Sequence, residues 1–141
     1  MSLVWREQLS VGNNVIDTDH RYLIDIINRV GQSLNTRSRQ DLVAGLDSLA
    51  QYAQEHFARE EKIAKAAGYQ QVPHLSVAHQ ELLKQLDQVK QEVGGVGQEW
   101  STETADDFTK LLRHWLIEHV IKEDMLMKPV LTKLSPLFDP R

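Results

Sequence analysis

The sequence contains no cysteine, which excludes disulfides, thiolate metal sites and haem attached through cysteine. It also contains no apolar run near the roughly 20 residues that a membrane-spanning helix needs, and its first residues lack the apolar segment of a secretory signal. From these absences we expect a soluble, cytoplasmic protein without a membrane partner. Any metal that it binds must be held by nitrogen and oxygen.

Charged residues are nearly balanced, with 16 lysine and arginine residues against 20 aspartate and glutamate residues and a net charge of −4 at pH 7. Because basic residues neither dominate nor cluster, the sequence has no electrostatic signature of nucleic-acid binding. The chain has 141 residues, of which 41% are hydrophobic, and this is enough to bury a core. We therefore expect residues 1–141 to form a single domain, for which the sequence identifies no protein partner.

Hydrophobic periodicity predicts four amphipathic helices, at about residues 18–34, 40–67, 73–93 and 101–128. Residues 1–16 mix apolar residues with glycine and asparagine, and they are expected to form an extended arm whose Trp5 packs on the helices. Gly68 is well placed to end the second helix, and Pro73 to begin the third. Since short loops join the helices, the sequence predicts an all-α, antiparallel up-down-up-down four-helix bundle.

Polar side chains occupy positions on the hydrophobic stripes of all these predicted helices. They are His20 on the first, His56 and Glu60 on the second, His79 on the third and His119 on the fourth. Any one of them alone is better explained as a hydrogen-bonded core histidine or an i,i+4 polar pair. In an antiparallel bundle, however, all of them converge at one end of the core, where each unpaired polar group costs about 1–3 kcal/mol. Their convergence favours a metal, and imidazole with carboxylate suits iron, manganese or zinc.

Several motifs in this sequence resemble the bacterial branch of the hemerythrin family. They are VIDTDH (15–20), HFAREE (56–61), His79 followed by an apolar helix, and WLIEHVIKED (115–124). The similarity extends from Val4 to about Lys128. Members of that family hold a di-iron centre in a four-helix bundle and bind O2 reversibly at one iron. The resemblance implies the same fold, two Fe ions as cofactor, and O2 as ligand, with NO and small anions as alternative ligands of the iron.

Carried over residue by residue, the resemblance also implies a set of site residues. The ligands of the iron that takes O2 would be His20 and His56. The ligands of the other iron would include His79 and His119. Two carboxylates would bridge the irons together with a solvent-derived oxygen: Glu60 and Asp124. The walls of the O2 pocket would come from apolar neighbours of these ligands: Leu23, Phe57, Trp115 and Leu116.

The third helix departs from the family pattern, in which a pair of histidines is spaced HxxxH. The first of that pair should be residue 75, which is a leucine, and His74 lies one residue too early. In a regular helix five residues rotate His74 by about 140° from His79. Two alternatives follow. His74 reaches the iron through an irregular first turn after Pro73, and it is included in the predicted ligand set. Otherwise Leu75 fills the ligand position, and that iron has an open or water-filled position.

The sequence favours a binding protein over an enzyme. A ferritin-like di-iron oxidase would carry ExxH motifs on two helices, and a zinc hydrolase would carry HExxH; the sequence contains neither. We expect a carrier or store that binds O2 reversibly at a non-haem di-iron centre. The alternative is a sensor of O2, NO or redox state with a modified, more open site, and a third alternative is a structural bundle without metal.

Overall fold

The computed structural model describes residues 3–95 and 99–140, and within these ranges the chain is built from helices arranged as a bundle. Its long helices are α1 (Asn14–Thr36), α2 (Arg39–Ala67), α3 (Val72–Gly95) and α4 (Thr102–His114). A π-helical segment (Trp115–Ile121), α5 (Lys122–Asp124), a 3-10 turn (Met125–Met127) and α6 (Lys128–Leu131) extend α4. Because the backbone is right-handed helical at every junction, we refer to residues 102–131 together as the fourth helix.

The helices pack in the order predicted for an antiparallel bundle. Helix α1 packs against α2 and α4, α2 packs against α3, and α3 packs against the π-helical segment. Short connections require successive helices to run in opposite directions. The prediction of an all-α four-helix bundle is therefore confirmed, whereas a single domain over residues 1–141 stays a prediction. No helix in the described ranges combines the length and hydrophobicity needed to cross a membrane.

The main difference from the predicted helices lies at the start of α1. The helix begins at Asn14, earlier than expected, because the Asn13 side chain accepts hydrogen bonds from the backbone N–H groups of Val15 (3.0 Å) and Ile16 (3.2 Å). Asparagine is a favoured N-cap residue, and it satisfies N–H groups that would otherwise lack partners. The end of α2 is as predicted, since Gly68 caps it with a left-handed backbone (φ +83°).

The bundle core contains two apolar clusters with polar side chains between them. Along each helix, one polar residue separates a residue of the smaller cluster from a residue of the larger one. Read from the smaller cluster to the larger, these series are Ile16–His20–Leu23, Ile63–Glu60–Phe57, Leu75–His79–Leu82 and Met127–Asp124–Ile121. Helix periodicity thus places nitrogen and oxygen ligands at one level of the core, with hydrocarbon on both sides.

Candidate metal centre

Four side chains from three helical elements meet at this level. His20 comes from the second turn of α1, His56 and Glu60 from consecutive turns of α2, and Asp124 from α5. All four are completely buried, with 0% of their surface exposed. One nitrogen or oxygen atom from each lies within 4.8 Å of those of the others, which is close enough for one metal ion to contact all of them. We call these four residues the buried cluster.

The buried cluster leaves several polar atoms without hydrogen bonds. His20 Nε2 lies 2.6 Å from Asp124 Oδ2, and His56 Nε2 lies 2.9 Å from Glu60 Oε2. Two of the cluster's buried atoms, His20 Nδ1 and Asp124 Oδ1, have no hydrogen-bond partner, and Glu60 Oε2 faces His56 Nε2 without an aligned hydrogen bond. Buried polar atoms are nearly always paired, and an unpaired one costs about 1–3 kcal/mol. A cation between these residues would contact the carboxylate oxygens that lack hydrogen bonds and would offset their negative charge.

The electrostatics of the buried cluster favour positive charge. Burial raises the pKa of Glu60 to about 7, and the nearby charge of Asp124 adds to this rise. Burial opposes the protonation of His56, but Glu60, Asp124 and Asp19 stabilise its charged form and raise its pKa well above the usual value. The site therefore attracts protons to a place where carboxylates lie close together. A divalent cation replaces such protons when it binds to the same atoms.

A network of hydrogen bonds centred on Asp19 holds His56 in place. The carboxylate of Asp19 is 5% exposed and accepts hydrogen bonds from His56 Nδ1 (3.0 Å), the Tyr52 hydroxyl (2.7 Å) and Arg59 Nε (2.9 Å). Burial alone would raise the pKa of Asp19, but these donors hold it well below its usual range. An ionised carboxylate only accepts hydrogen bonds, so Nδ1 of His56 carries a proton. That arrangement directs the other nitrogen, Nε2, at the buried cluster, as is usual for histidines that bind metals.

Sequence reasoning missed most of this network. Asp19, Tyr52 and Arg59 were not among the predicted site residues. Tyr52 precedes His56 by one turn of α2 and Arg59 follows it by nearly one turn, so the three share a flank of that helix. A polar stripe beside the hydrophobic stripe was the signal that could have revealed it.

His79 lies at the edge of the buried cluster. It is 1% exposed, with its Nε2 atom 3.1 Å from Glu60 Oε1 and its Nδ1 atom 2.9 Å from Glu61 Oε2. The ring of Phe57 stacks on it with a centroid distance of 4.1 Å and an angle of 10°. Burial opposes the charge of His79, but the carboxylates around it raise its pKa to about 10. Packing and hydrogen bonds therefore fix this imidazole next to Glu60.

The structure does not bring His74 or His119 to the buried cluster. The His74 side chain is 60% exposed, with its Nε2 atom 3.1 Å from a carboxylate oxygen of Glu123. The neighbouring Leu75 is 0% exposed and belongs to the smaller apolar cluster. Since α3 is already helical at Val72, the five-residue spacing from His79 turns His74 away from the core.

His119 was predicted as a ligand on the core side of the fourth helix, and the structure places it on the outside. It is exposed, and its ring lies edge-on to that of His114, with the centroids 5.0 Å apart. The cause is the π-helical segment, in which each turn takes up more residues than in an α-helix. In this segment Leu116, Val120 and Ile121 are buried. His119 lies between these inward-facing residues in the sequence and itself faces outward.

The residues predicted to wall an O2 pocket all lie in the larger apolar cluster: Leu23, Phe57, Trp115 and Leu116. Each is at most 3% exposed. Phe57 contacts both His79 and the ring of His56, the latter with a centroid distance of 5.6 Å. The indole N–H of Trp115 donates to the carbonyl of Leu82 (3.0 Å), which fixes the ring. The site is therefore apolar and closed to solvent on this side, whereas its use as an O2 pocket remains a prediction.

Comparisons with known proteins agree with this picture. The family model described as the hemerythrin HHE cation binding domain matches residues 11–131. Bacteriohemerythrin from Stenotrophomonas maltophilia (strain R551-3) is 25% identical over 122 residues, which cover 86% of this chain and 76% of the relative. Bacteriohemerythrin from Methylococcus capsulatus (strain Bath) is 26% identical over 134 residues, covering 94% of this chain and 99% of the relative.

Solved structures of hemerythrin have the same fold. The wild-type structure aligns with a TM-score of 0.77 at 24% identity and covers 92% of this chain and 98% of its own. The structure of a point mutant aligns with a TM-score of 0.78 at 23% identity and covers 94% of this chain and 99% of its own. At this level of identity the likeness establishes the four-helix bundle, while the chemistry depends on the side chains described above.

Proposed function

This chain belongs to the hemerythrin family, and we propose that it binds O2 at non-haem iron in the bundle core as a sensor rather than as a store. The family holds a di-iron centre, and this chain has a buried histidine and carboxylate cluster capable of holding metal. Nitrogen and oxygen ligands with no sulfur suit iron. Family membership supports O2 binding, and the choice between storing and sensing rests on this chain's own residues.

The side chains of the buried cluster have distinct parts in this proposal. His20 and His56 would bind iron through nitrogen, and Glu60 and Asp124 through oxygen. When bound, iron would supply the electrons and the coordination position that O2 requires. Asp19 would keep His56 in the orientation for binding, since its carboxylate accepts the Nδ1 proton at 3.0 Å. Phe57, which is 2% exposed, would help to exclude water from the side of the site where O2 would bind.

The observation that carries the sensing role is the position of His74 and His119 outside the buried cluster. A store must release O2 unchanged, and it therefore needs iron that is closed to other ligands. With these imidazoles on the surface, the half of the site next to α3 has fewer ligands than the family resemblance requires. Iron held with fewer ligands would have an open position, which would favour oxidation that persists over simple release of O2. Oxidation that persists after O2 is removed suits a sensor.

An optical experiment tests the proposal. The chain is loaded anaerobically with ferrous iron, and spectra are recorded before O2 is added, after it is added and after it is removed. We expect charge-transfer bands that appear with O2, persist when O2 is removed and disappear only with a reductant. Bands that disappear on removal of O2 alone would overturn the sensing role in favour of a carrier or store. Protein without iron and without bands would overturn the whole proposal.

A further inference from the structure

We propose that this chain binds a single metal ion tightly, in a mononuclear site formed by His20, His56, Glu60 and Asp124. The hemerythrin family holds two irons, and the donor set of this chain fits one of them fully and the other only in part. The inference rests on the proposed function for the identity of the metal as iron. It adds how many ions the site takes and which residues take them.

The site for the first ion is complete. The buried cluster offers two imidazoles and two carboxylates, each 0% exposed, with ligand atoms within 4.8 Å of one another. Iron(II) in proteins is commonly held by two histidines and one carboxylate with positions left open for ligands. This cluster supplies one carboxylate more than that minimum. An ion there would also engage Glu60 Oε2 and Asp124 Oδ1, which lack hydrogen bonds.

The site for a second ion lacks ligands on both elements that should supply them. On α3, Leu75 is 0% exposed and packs with Ile16, Ile63 and Met127, so hydrocarbon fills the position of the expected imidazole. On the fourth helix, His119 faces outward beside His114. Of the described histidines in these two elements, His79 alone lies within hydrogen-bond distance of the buried cluster. A second ion would have that imidazole and a share of two carboxylates.

The contacts of His79 suit a positioning residue better than a ligand. Each of its ring nitrogens already has a carboxylate partner, since Nε2 lies 3.1 Å from Glu60 Oε1 and Nδ1 lies 2.9 Å from Glu61 Oε2. Binding a second ion would require His79 to give up its contact with Glu60. The existing contact occupies one oxygen of Glu60 and leaves the other, Oε2, facing His56 at 2.9 Å. His79 thereby orients Glu60 towards a single ion.

Metal stoichiometry of the whole chain tests the inference directly. The protein is titrated anaerobically with ferrous iron, freed of weakly bound metal by gel filtration and analysed for iron. A parallel sample is loaded with manganese(II) for electron paramagnetic resonance. We expect about one tightly held ion per chain and the spectrum of isolated manganese(II). Two irons per chain with a coupled manganese pair would overturn the mononuclear site and leave the proposed function standing. Protein that retains no metal would overturn both.

Supplying the imidazole that α3 lacks should allow a second ion to bind. In Leu75→His we expect the iron content to rise from about one towards two ions per chain. Val77→His is the matched control, because Val77 is 69% exposed on the same helix and an imidazole there cannot reach the core. Its iron content should stay at about one. An unchanged iron content in folded Leu75→His would contradict the claim that Leu75 blocks the second site. The wild-type measurement decides the inference if that variant does not fold.

A pair of substitutions at His79 separates positioning from ligation. Glutamine retains an N–H donor for Glu60, so His79→Gln should bind one ion nearly as tightly as the wild type. His79→Ala loses that donor, and we expect its affinity for iron to fall by about 10–100-fold, the usual effect of removing a partner of a ligand. If both variants lost metal equally, His79 would be a ligand, and the role given to it here would be wrong.

Discussion

The two halves of the metal centre differ in how firmly their ligands are held. In the half formed by α1 and α2, His20 and His56 are completely buried, and Asp19 holds His56 by a hydrogen bond. In the half formed by α3 and the fourth helix, His119 is exposed and a buried leucine stands at residue 75. The comparison indicates that a metal ligand in a bundle first needs an inward position on its helix, which a hydrogen-bond partner can then hold, as Asp19 holds His56.

The helices themselves account for the difference between the halves. Helices α1 and α2 are α-helical from end to end, so i,i+4 positions such as His56 and Glu60 stay on one face. The fourth helix changes to π-helical geometry between Trp115 and Ile121, close to where a ligand is expected. Such segments are rare and frequently lie at functional sites. Here the change turns His119 outward while Asp124 remains 0% exposed.

The largest difference in iron affinity is expected between two variants that each lose one histidine, one from each half. We expect His56→Ala to lower the affinity for iron by more than about 100-fold, because even the loss of a ligand's partner costs about 10–100-fold. His119→Ala removes the same side chain from an exposed position and should leave the affinity near that of the wild type. Iron content after gel filtration measures both. Equal loss of iron in the two variants would show that the halves are equivalent.

The sequence predicted the bundle well because the hydrophobic stripes are long and regular. Four stripes with polar residues at one level were enough to predict the architecture and to select His20, His56, Glu60 and His79. The family resemblance added Asp124, and the structure brings these five residues together. The start of α1 was misjudged because asparagine is common both in loops and at N-caps, and a stripe of apolar residues does not distinguish the two.

The rest of the site depends on features that periodicity does not reveal. A π-helical segment changes which residues face inward without changing the composition of the stripe, so the sequence could not place His119. The His74 position was left open for a similar reason, since an irregular first turn and a regular helix predict opposite orientations. The partners of Asp19 come from another helix, and only the packing of α1 against α2 brings Tyr52 and Arg59 to it.

Truncating Leu75 tests whether its half of the site is an apolar core rather than an empty ligand position. Leu75→Ala should lower the free energy of unfolding by about 2–5 kcal/mol, the usual cost of removing a buried leucine side chain. Val77→Ala on the same helix should change it by less than about 0.5 kcal/mol, because Val77 is 69% exposed. Urea unfolding of metal-free protein measures both. A small loss of stability in Leu75→Ala would mean that this position is loosely packed.

Removing the charge of Asp19 tests the partner that distinguishes the better-held half. Asp19→Asn keeps the shape of the side chain but weakens its hydrogen bonds to His56 and Arg59, and we expect the affinity for iron to fall by about 10–100-fold. Asp25→Asn makes the same change at an exposed position of α1 and should have no effect on affinity. Competition with a chelator of known affinity measures both variants. Wild-type affinity in Asp19→Asn would mean that packing alone orients His56.

The smallest effect is expected at His74, in the other half. Its side chain is 60% exposed, with Nε2 3.1 Å from a carboxylate oxygen of Glu123, and exposed polar contacts of this kind contribute about 0–1 kcal/mol. His74→Ala should therefore retain the wild-type iron content and lower the free energy of unfolding by less than about 1 kcal/mol. Iron analysis and urea unfolding of the same preparation measure both. Loss of iron in this variant would show that His74 is a ligand, and the difference drawn here between the two halves would be wrong.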